Sequence, residues 1–171
     1  MLRKSLLVAS IAFASLGVHA EQLYLGASVG QATYEDDGMA DVDESTGFSM
    51  ILGYQASPNF ALEAAYVDFG SADFEHDLVT GEVEASTIAL SGRVIAPLGE
   101  KASVYARVGM HKWDGEGTVH AFGSRDYEGN GMLYGAGFSF KPGQSIEFGL
   151  EFTKYEDVDV DTVNAAIRFL F

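Results

Sequence analysis

The side chains of this 171-residue chain that could do chemistry fall into two groups. The first is six charged residues, Glu63, Arg93, Arg107, Glu147, Glu151 and Arg168, three of each sign, set among small and polar residues in segments whose alternate positions are apolar. Carboxylates and guanidiniums enclosed together offset one another's desolvation, whereas lone ones would be costly. Counted along their segments, Glu63, Arg93 and Arg107 reach similar heights, and Glu147, Glu151 and Arg168 make a second such cluster. The chemistry to expect is ion pairing, either as a structural polar core or as a gate. The second group is acidic: Glu35, Asp36, Asp37, Asp41, Asp43 and Glu44; Asp73, Glu75, Asp77 and Glu82; Asp114, Glu116, Asp126 and Glu128; Glu156, Asp157, Asp159 and Asp161. Hard oxygen ligands at this density could take calcium or magnesium. Against that, Asp157-x-Asp159-x-Asp161 lacks the following glycine and the distal glutamate of an EF-hand loop. Solvated surface charge is the plainer reading, and no metal site is assigned.

These residues must be positioned by strands. The last nine residues alternate strictly, with Val163, Ala165, Ile167, Phe169 and Phe171 on one face and Asn164, Ala166, Arg168 and Leu170 on the other. A period of two is the mark of a strand with one apolar face. Eight such runs are legible, at about 23–34, 47–56, 59–69, 84–96, 102–113, 131–141, 145–154 and 162–171. All three prolines sit in the short connections 56–59, 96–101 and 141–144, where turn residues belong. The longer, acidic connections are 35–46, 70–83, 114–130 and 155–161. Alternating short turns and long loops are the habit of outer-membrane barrels.

The two faces decide which solvent each meets. One carries Leu25, Val29, Met50, Leu62, Ile88, Leu90, Val108, Tyr134, Leu150 and their neighbours at the same parity, with no charge; the other is small, polar and rich in glycine, and holds the six charges. A soluble barrel would turn its large residues inward and cover its exterior with charge. Large apolar side chains outward and small polar ones inward suit lipid. The predicted fold is all-β, an eight-stranded antiparallel up-and-down transmembrane β-barrel in which the last strand pairs with the first. Tyr54, Phe60, Phe140 and Phe171 are expected near the periplasmic interface, and Phe48, Tyr66 and Trp113 near the outer one, as aromatic girdles.

The front of the chain reads differently. Arg3 and Lys4, an apolar block from Leu6 to Leu16 and the sequence Val18-His19-Ala20 form a secretory signal pattern, so residues 1–20 are expected to be a signal peptide and 21–171 the barrel domain. There is no cysteine, hence no disulfide framework or thiol metal site. Formal charge is −15, which excludes a nucleic-acid role because phosphate binding needs clustered Lys and Arg. With His76 and His120 in connections and His111 inward, no Ser-His-acid geometry can be argued, and no phosphate-cradling glycine pattern occurs. No enzyme activity, catalytic residue or cofactor is expected.

Several stretches resemble a known family. Gly53-Tyr54-Gln55-x-x-Pro58-x-x-x-Leu62-Glu63-x-x-Tyr66 is similar to the second and third strands of the OmpA-type transmembrane barrel, and Val104-Tyr105-Ala106-Arg107-Val108-Gly109 to its fifth. Met132-Leu133-Tyr134-Gly135-Ala136-Gly137 and the terminal Phe171 resemble small barrels of the OmpX and attachment-invasion type. The resemblance implies a protein of the Gram-negative outer membrane, embedded among outer-membrane lipid and lipopolysaccharide. Its final strand, through Phe169 and Phe171, would be the signal read by the barrel-assembly machinery, and no periplasmic domain is expected after Phe171. It also implies that Glu63, Arg93 and Arg107 occupy positions of a lumen salt-bridge arrangement; Gly149 stands where that family has a strand-seven arginine. The function expected is that of a monomeric barrel with a plugged polar lumen and acidic surface loops, serving adhesion, envelope integrity or structure. The loops would meet a host surface or divalent cations. A narrow low-conductance ion pore is the alternative.

Overall fold

The computed structural model describes residues 23–34, 45–76, 79–119 and 123–171. The expected signal segment 1–20 and most of the first acidic connection, together with Asp77 and His120, lie outside the described residues. The strands are β1 (Leu23–Tyr34), β2 (Ser45–Ser57), β3 (Phe60–His76), β4 (Val79–Pro97), β5 (Ala102–Val119), β6 (Gly123–Phe140), β7 (Ile146–Tyr155) and β8 (Val160–Leu170). Each pairs antiparallel with its neighbour, and β8 pairs with β1 from Tyr24↔Leu170 to Tyr34↔Val160, so the sheet is a closed barrel. Closure removes both sheet edges, which is what lets a sheet sit in lipid with its backbone polar groups satisfied.

The faces fall as the parity requires. Met50, Ile88, Leu90, Met110, Leu150 and Val163 are exposed on the outside, while Tyr24, Ile51, Ala61, Ala65, Ala89 and Leu133 are buried inside with the polar residues. A lipid-facing surface explains this otherwise unstable exposure of large apolar side chains. The outward rows turn polar at one end, after Tyr66 at Asp68, before Ile88 at Ser86, after Met110 at Lys112 and before Met132 at Asn130. That is the outer end, where the described acidic residues Asp68, Glu84, Asp114, Glu128, Asp157 and Asp159 lie.

Four expectations about the outer end are corrected. Most of 70–83 and 114–130 is ladder rather than loop: β3 and β4 stay paired from Ser71↔Glu84 to His76↔Val79, and β5 and β6 to Val119↔Gly123. Backbone pairing continues here because the residues keep a period of two, as in Asp114-Gly115-Glu116-Gly117, although the faces no longer contrast in hydropathy. The fourth connection shrinks to a tight turn at 156–159, in which Asp157 and Asp159 adopt φ of 69° and 47°. Trp113 is not part of an outer girdle. It shares the inward parity of His111, pairs with Gly129 and lays its indole across that glycine. Height along the strand is as expected, but the face is the opposite one.

A bulge sets the outer mouth. The register of β3 on β4 slips between Asp68 and Ser71, with Gly70 at φ 76°. The Gly70 N–H is held by Asp68 Oδ1 at 2.9 Å. Such a left-handed position suits glycine, and the extra residue bends the strand where Phe69 turns inward.

Candidate functional site

The interior is the candidate site, and it is built from inward positions of six strands. Glu63 on β3, Arg93 on β4, Arg107 on β5, Glu147 and Glu151 on β7 and Arg168 on β8 are all buried, with Tyr24 of β1 and Tyr105 of β5 among them. Two separate clusters are expected from the sequence; the geometry makes one. Arg93 Nη1 donates to Glu63 Oε1 at 3.0 Å and Nη2 to Glu147 Oε1 at 3.3 Å. Arg107 spans Glu63 and Glu151 through its two terminal nitrogens, and its Nε donates to Ser91 Oγ at 3.1 Å. Arg168 faces all three carboxylates, with Nε 3.3 Å from Glu63, Nη1 3.3 Å from Glu147 and Nη2 3.6 Å from Glu151. Each guanidinium therefore bridges glutamates that lie far apart in sequence. Heights counted along isolated strands miss this because tilt and stagger bring β3 level with β7 and β8 across a lumen only a few side chains wide.

Charge balance makes the cluster tolerable. Three carboxylates meet three guanidiniums, and charge-assisted pairs in a low-dielectric interior hold their ions strongly. Balance is not full satisfaction, since Arg93 Nε and Arg168 Nε and Nη2 are buried with no aligned hydrogen-bond acceptor. The arrangement can hold charges in place and exclude water; it offers no nucleophile beside a base, and among the described residues no three His, Asp or Glu gather at metal-binding spacing.

Two tyrosines for which the sequence predicts no role join the network. Tyr24 Oη donates to Glu63 Oε1 at 2.7 Å, and Tyr105 Oη donates to Glu151 Oε2 at 2.8 Å. The Arg93 guanidinium also lies 3.9 Å from the centre of the Tyr105 ring, a cation–π contact. The signal is present: both are large aromatics on the inward face, and each stands opposite a glycine, Tyr24↔Gly53 and Tyr105↔Gly137. A Cβ at either glycine would run into the facing ring. The glycines make room for rings that lie flat across the strand.

Around this network little space remains. Above it, toward the outer end, is a chamber of about 10 Å³ lined by Ser28, Ser49, Asn164 and Tyr155 and floored by Arg107 and Arg168, about the volume of one water. Phe169 and Phe171, the expected assembly signal, stand on the outward parity, both exposed, and the Phe171 N–H is tied to the Leu23 carbonyl at 2.9 Å. They are not brought near the interior.

Known proteins share this architecture. The Ail attachment invasion locus protein of Yersinia pestis superposes with a TM-score of 0.64 at 18% identity, covering 88% of this chain and 99% of that one. Neisserial surface protein A gives 0.61 at 14%, covering 87% and 97%. One Ail structure is a complex with the heparin analogue sucrose octasulfate. In sequence, outer membrane protein A of Escherichia coli O157:H7 is 22% identical over 134 residues, which is 75% of this chain and 39% of that protein. The chain thus spans well under half the length of that relative. A family model described as the outer membrane protein beta-barrel domain matches residues 5–169. Together with a closed barrel whose exterior is apolar and whose charges are inside, the match shows that this chain belongs to the outer membrane protein beta-barrel family, in the outer membrane of a Gram-negative bacterium.

Proposed function

We propose that this barrel is a closed scaffold, not a pore: its polar lumen is plugged by the Glu63, Arg93, Arg107, Glu147, Glu151 and Arg168 network, and it serves envelope integrity or adhesion through the acidic surface it raises outside the cell. The observation that carries the reading is Arg168 facing three carboxylates at once, because it ties β8 to β3 and β7 across the full width of the lumen. An eight-stranded barrel has room only for its side chains, and here those side chains are mutually attracting ions. In this reading residues 1–20 direct export, the terminal Phe169 and Phe171 are read by the assembly machinery, and the inserted protein is a monomer in lipopolysaccharide and lipid.

The partner class follows from charge. Among the described residues, every acidic one other than the three lumen glutamates and Glu100 lies at the outer end, which carries Lys112, Arg125 and Lys154 in return. A sulfated polyanion of the kind held in the Ail complex would be repelled by such a surface, so the adhesion partner is basic or reached through divalent cations. The test is planar-bilayer conductance of the purified, folded protein. Silence at potentials where porins conduct is the expected result. Reproducible single-channel steps from the unmodified protein, lost when Glu63 or Arg107 is changed, would establish the narrow ion pore instead.

A further inference from the structure

The network is not the last layer of the lumen. Above the small chamber the inward residues become apolar: Phe69, Leu133, Tyr155 and Val160 are all buried, packed with Val67, Ala85 and Ala89. The Phe69 and Tyr155 rings meet edge to face with centroids 5.0 Å apart, and His111 meets Tyr155 at 5.3 Å. These groups are held from several strands. Ser45 Oγ donates to the Phe69 carbonyl at 2.5 Å, the Glu156 N–H donates to the Met132 carbonyl at 2.9 Å, and His111 Nε2 lies 2.9 Å from the Glu156 carbonyl. A carbonyl can only accept, so Nε2 carries the proton and donates. His111 therefore fastens the β7–β8 turn to β5.

From this layering we infer that the barrel has two closures in series: the charge network, and an independent aromatic lid of Phe69 and Tyr155 pinned through His111 to the β7–β8 turn, with the Ser49 chamber between them. The inference rests on the network being a plug and adds a second barrier above it. The physical reason for a lid is dielectric. Water entering from the outer mouth would solvate the ions and weaken their attraction, whereas an apolar cover over the chamber preserves it.

Two closures in series have a logical signature. A group in the chamber becomes reachable when either is removed, but ions cross only when both are. The chain has no cysteine, so Ser49→Cys places a single thiol in the chamber. Three versions of that protein, folded in lipid vesicles and checked by heat-modifiable gel migration, are exposed to a small charged methanethiosulfonate and also tested for conductance. The network is opened by Glu63→Ala with Arg107→Ala, which keeps charge balanced, and the lid by Phe69→Ala with Tyr155→Ala. The parent thiol is expected to be protected, each pair to become labelled yet stay silent in the bilayer, and the combination to conduct. A protected thiol in the lid variant, conduction by the network variant alone, or silence of the combination each overturns the second closure. Conduction by the lid variant alone would instead overturn the network as a plug. Should the lid pair fail to fold, His111→Ala removes the pin together with its Thr87 hydrogen bond and its ring contact with Tyr155; labelling at least roughly tenfold faster than in the parent is expected, and an unchanged rate overturns the pinning.

Discussion

Glu63 is the one lumen carboxylate that meets all three guanidiniums, Arg93, Arg107 and Arg168, and it also accepts from Tyr24. Removing its charge leaves three buried guanidiniums against two carboxylates, Glu147 and Glu151. Glu63→Gln is expected to cost about 3–5 kcal/mol, the usual penalty for breaking a buried pair from one side, read as a lowered denaturant midpoint in lipid vesicles; an unchanged midpoint would mean that water already reaches the site. The facing glycines are sensitive for a different reason. A methyl at Gly137 would enter the Tyr105 ring, so Gly137→Ala should cost roughly 1–3 kcal/mol by overpacking. Gly92, also an inner-strand glycine but on the lipid side, has only the edge of Phe60 near it, and Gly92→Ala is the control expected to be near neutral. Parity alone makes the inward place of all six charges legible in the sequence. It does not say which charges touch, because that depends on stagger around the ring, and the place of Tyr24 and Tyr105 becomes legible only with the register that sets each opposite a glycine.

At the scale of the strands, the alternation from Leu23 to Leu170 specifies the architecture so strongly because a slip of one residue would put a glutamate into lipid. That makes depth testable. Leu90 sits in the middle of the outward row of β4, whereas Ser86 lies where that row turns polar, beside Glu84. Leu90→Arg should cost about 2–4 kcal/mol and Ser86→Arg no more than about 1 kcal/mol, since the penalty falls from the bilayer midplane to the interface. Equal costs, measured by denaturant unfolding in vesicles, would place the polar boundary elsewhere. Strand ends were less legible than strand middles. Contrast between apolar and polar faces ends where lipid ends, but hydrogen-bonded pairing does not, so Asp114-Gly115-Glu116-Gly117 and the facing residues of β6 resembled loop in composition while continuing as ladder. Trp113 misled for a related reason: aromatic type and height suggested a girdle, and only counting parity from His111 puts it on the other face.

For the molecule as a whole, ring closure and lumen chemistry are one event. β8 brings Arg168 against glutamates of β3 and β7 while its backbone pairs with β1. Before it docks, the remaining network holds three carboxylates and two guanidiniums; afterwards the charges cancel. The closing strand was the clearest strand in the sequence, and the sheet edge it seals was inferable from the need to leave none, but the electrostatic role of its single charge required the ring. The energetic statement is a coupling between strands separated by 105 residues, Glu63 and Arg168 being 168 − 63 apart. In a double-mutant cycle, Glu63→Gln and Arg168→Gln are each expected to destabilise, while the double variant keeps two charges of each sign and loses less than the sum, by about 1–3 kcal/mol. Denaturant unfolding of all four proteins in the same vesicles measures it. Strict additivity would mean that β8 closes the barrel through its backbone alone, with Arg168 serving Glu147 and Glu151 beside it on β7 and nothing across the lumen.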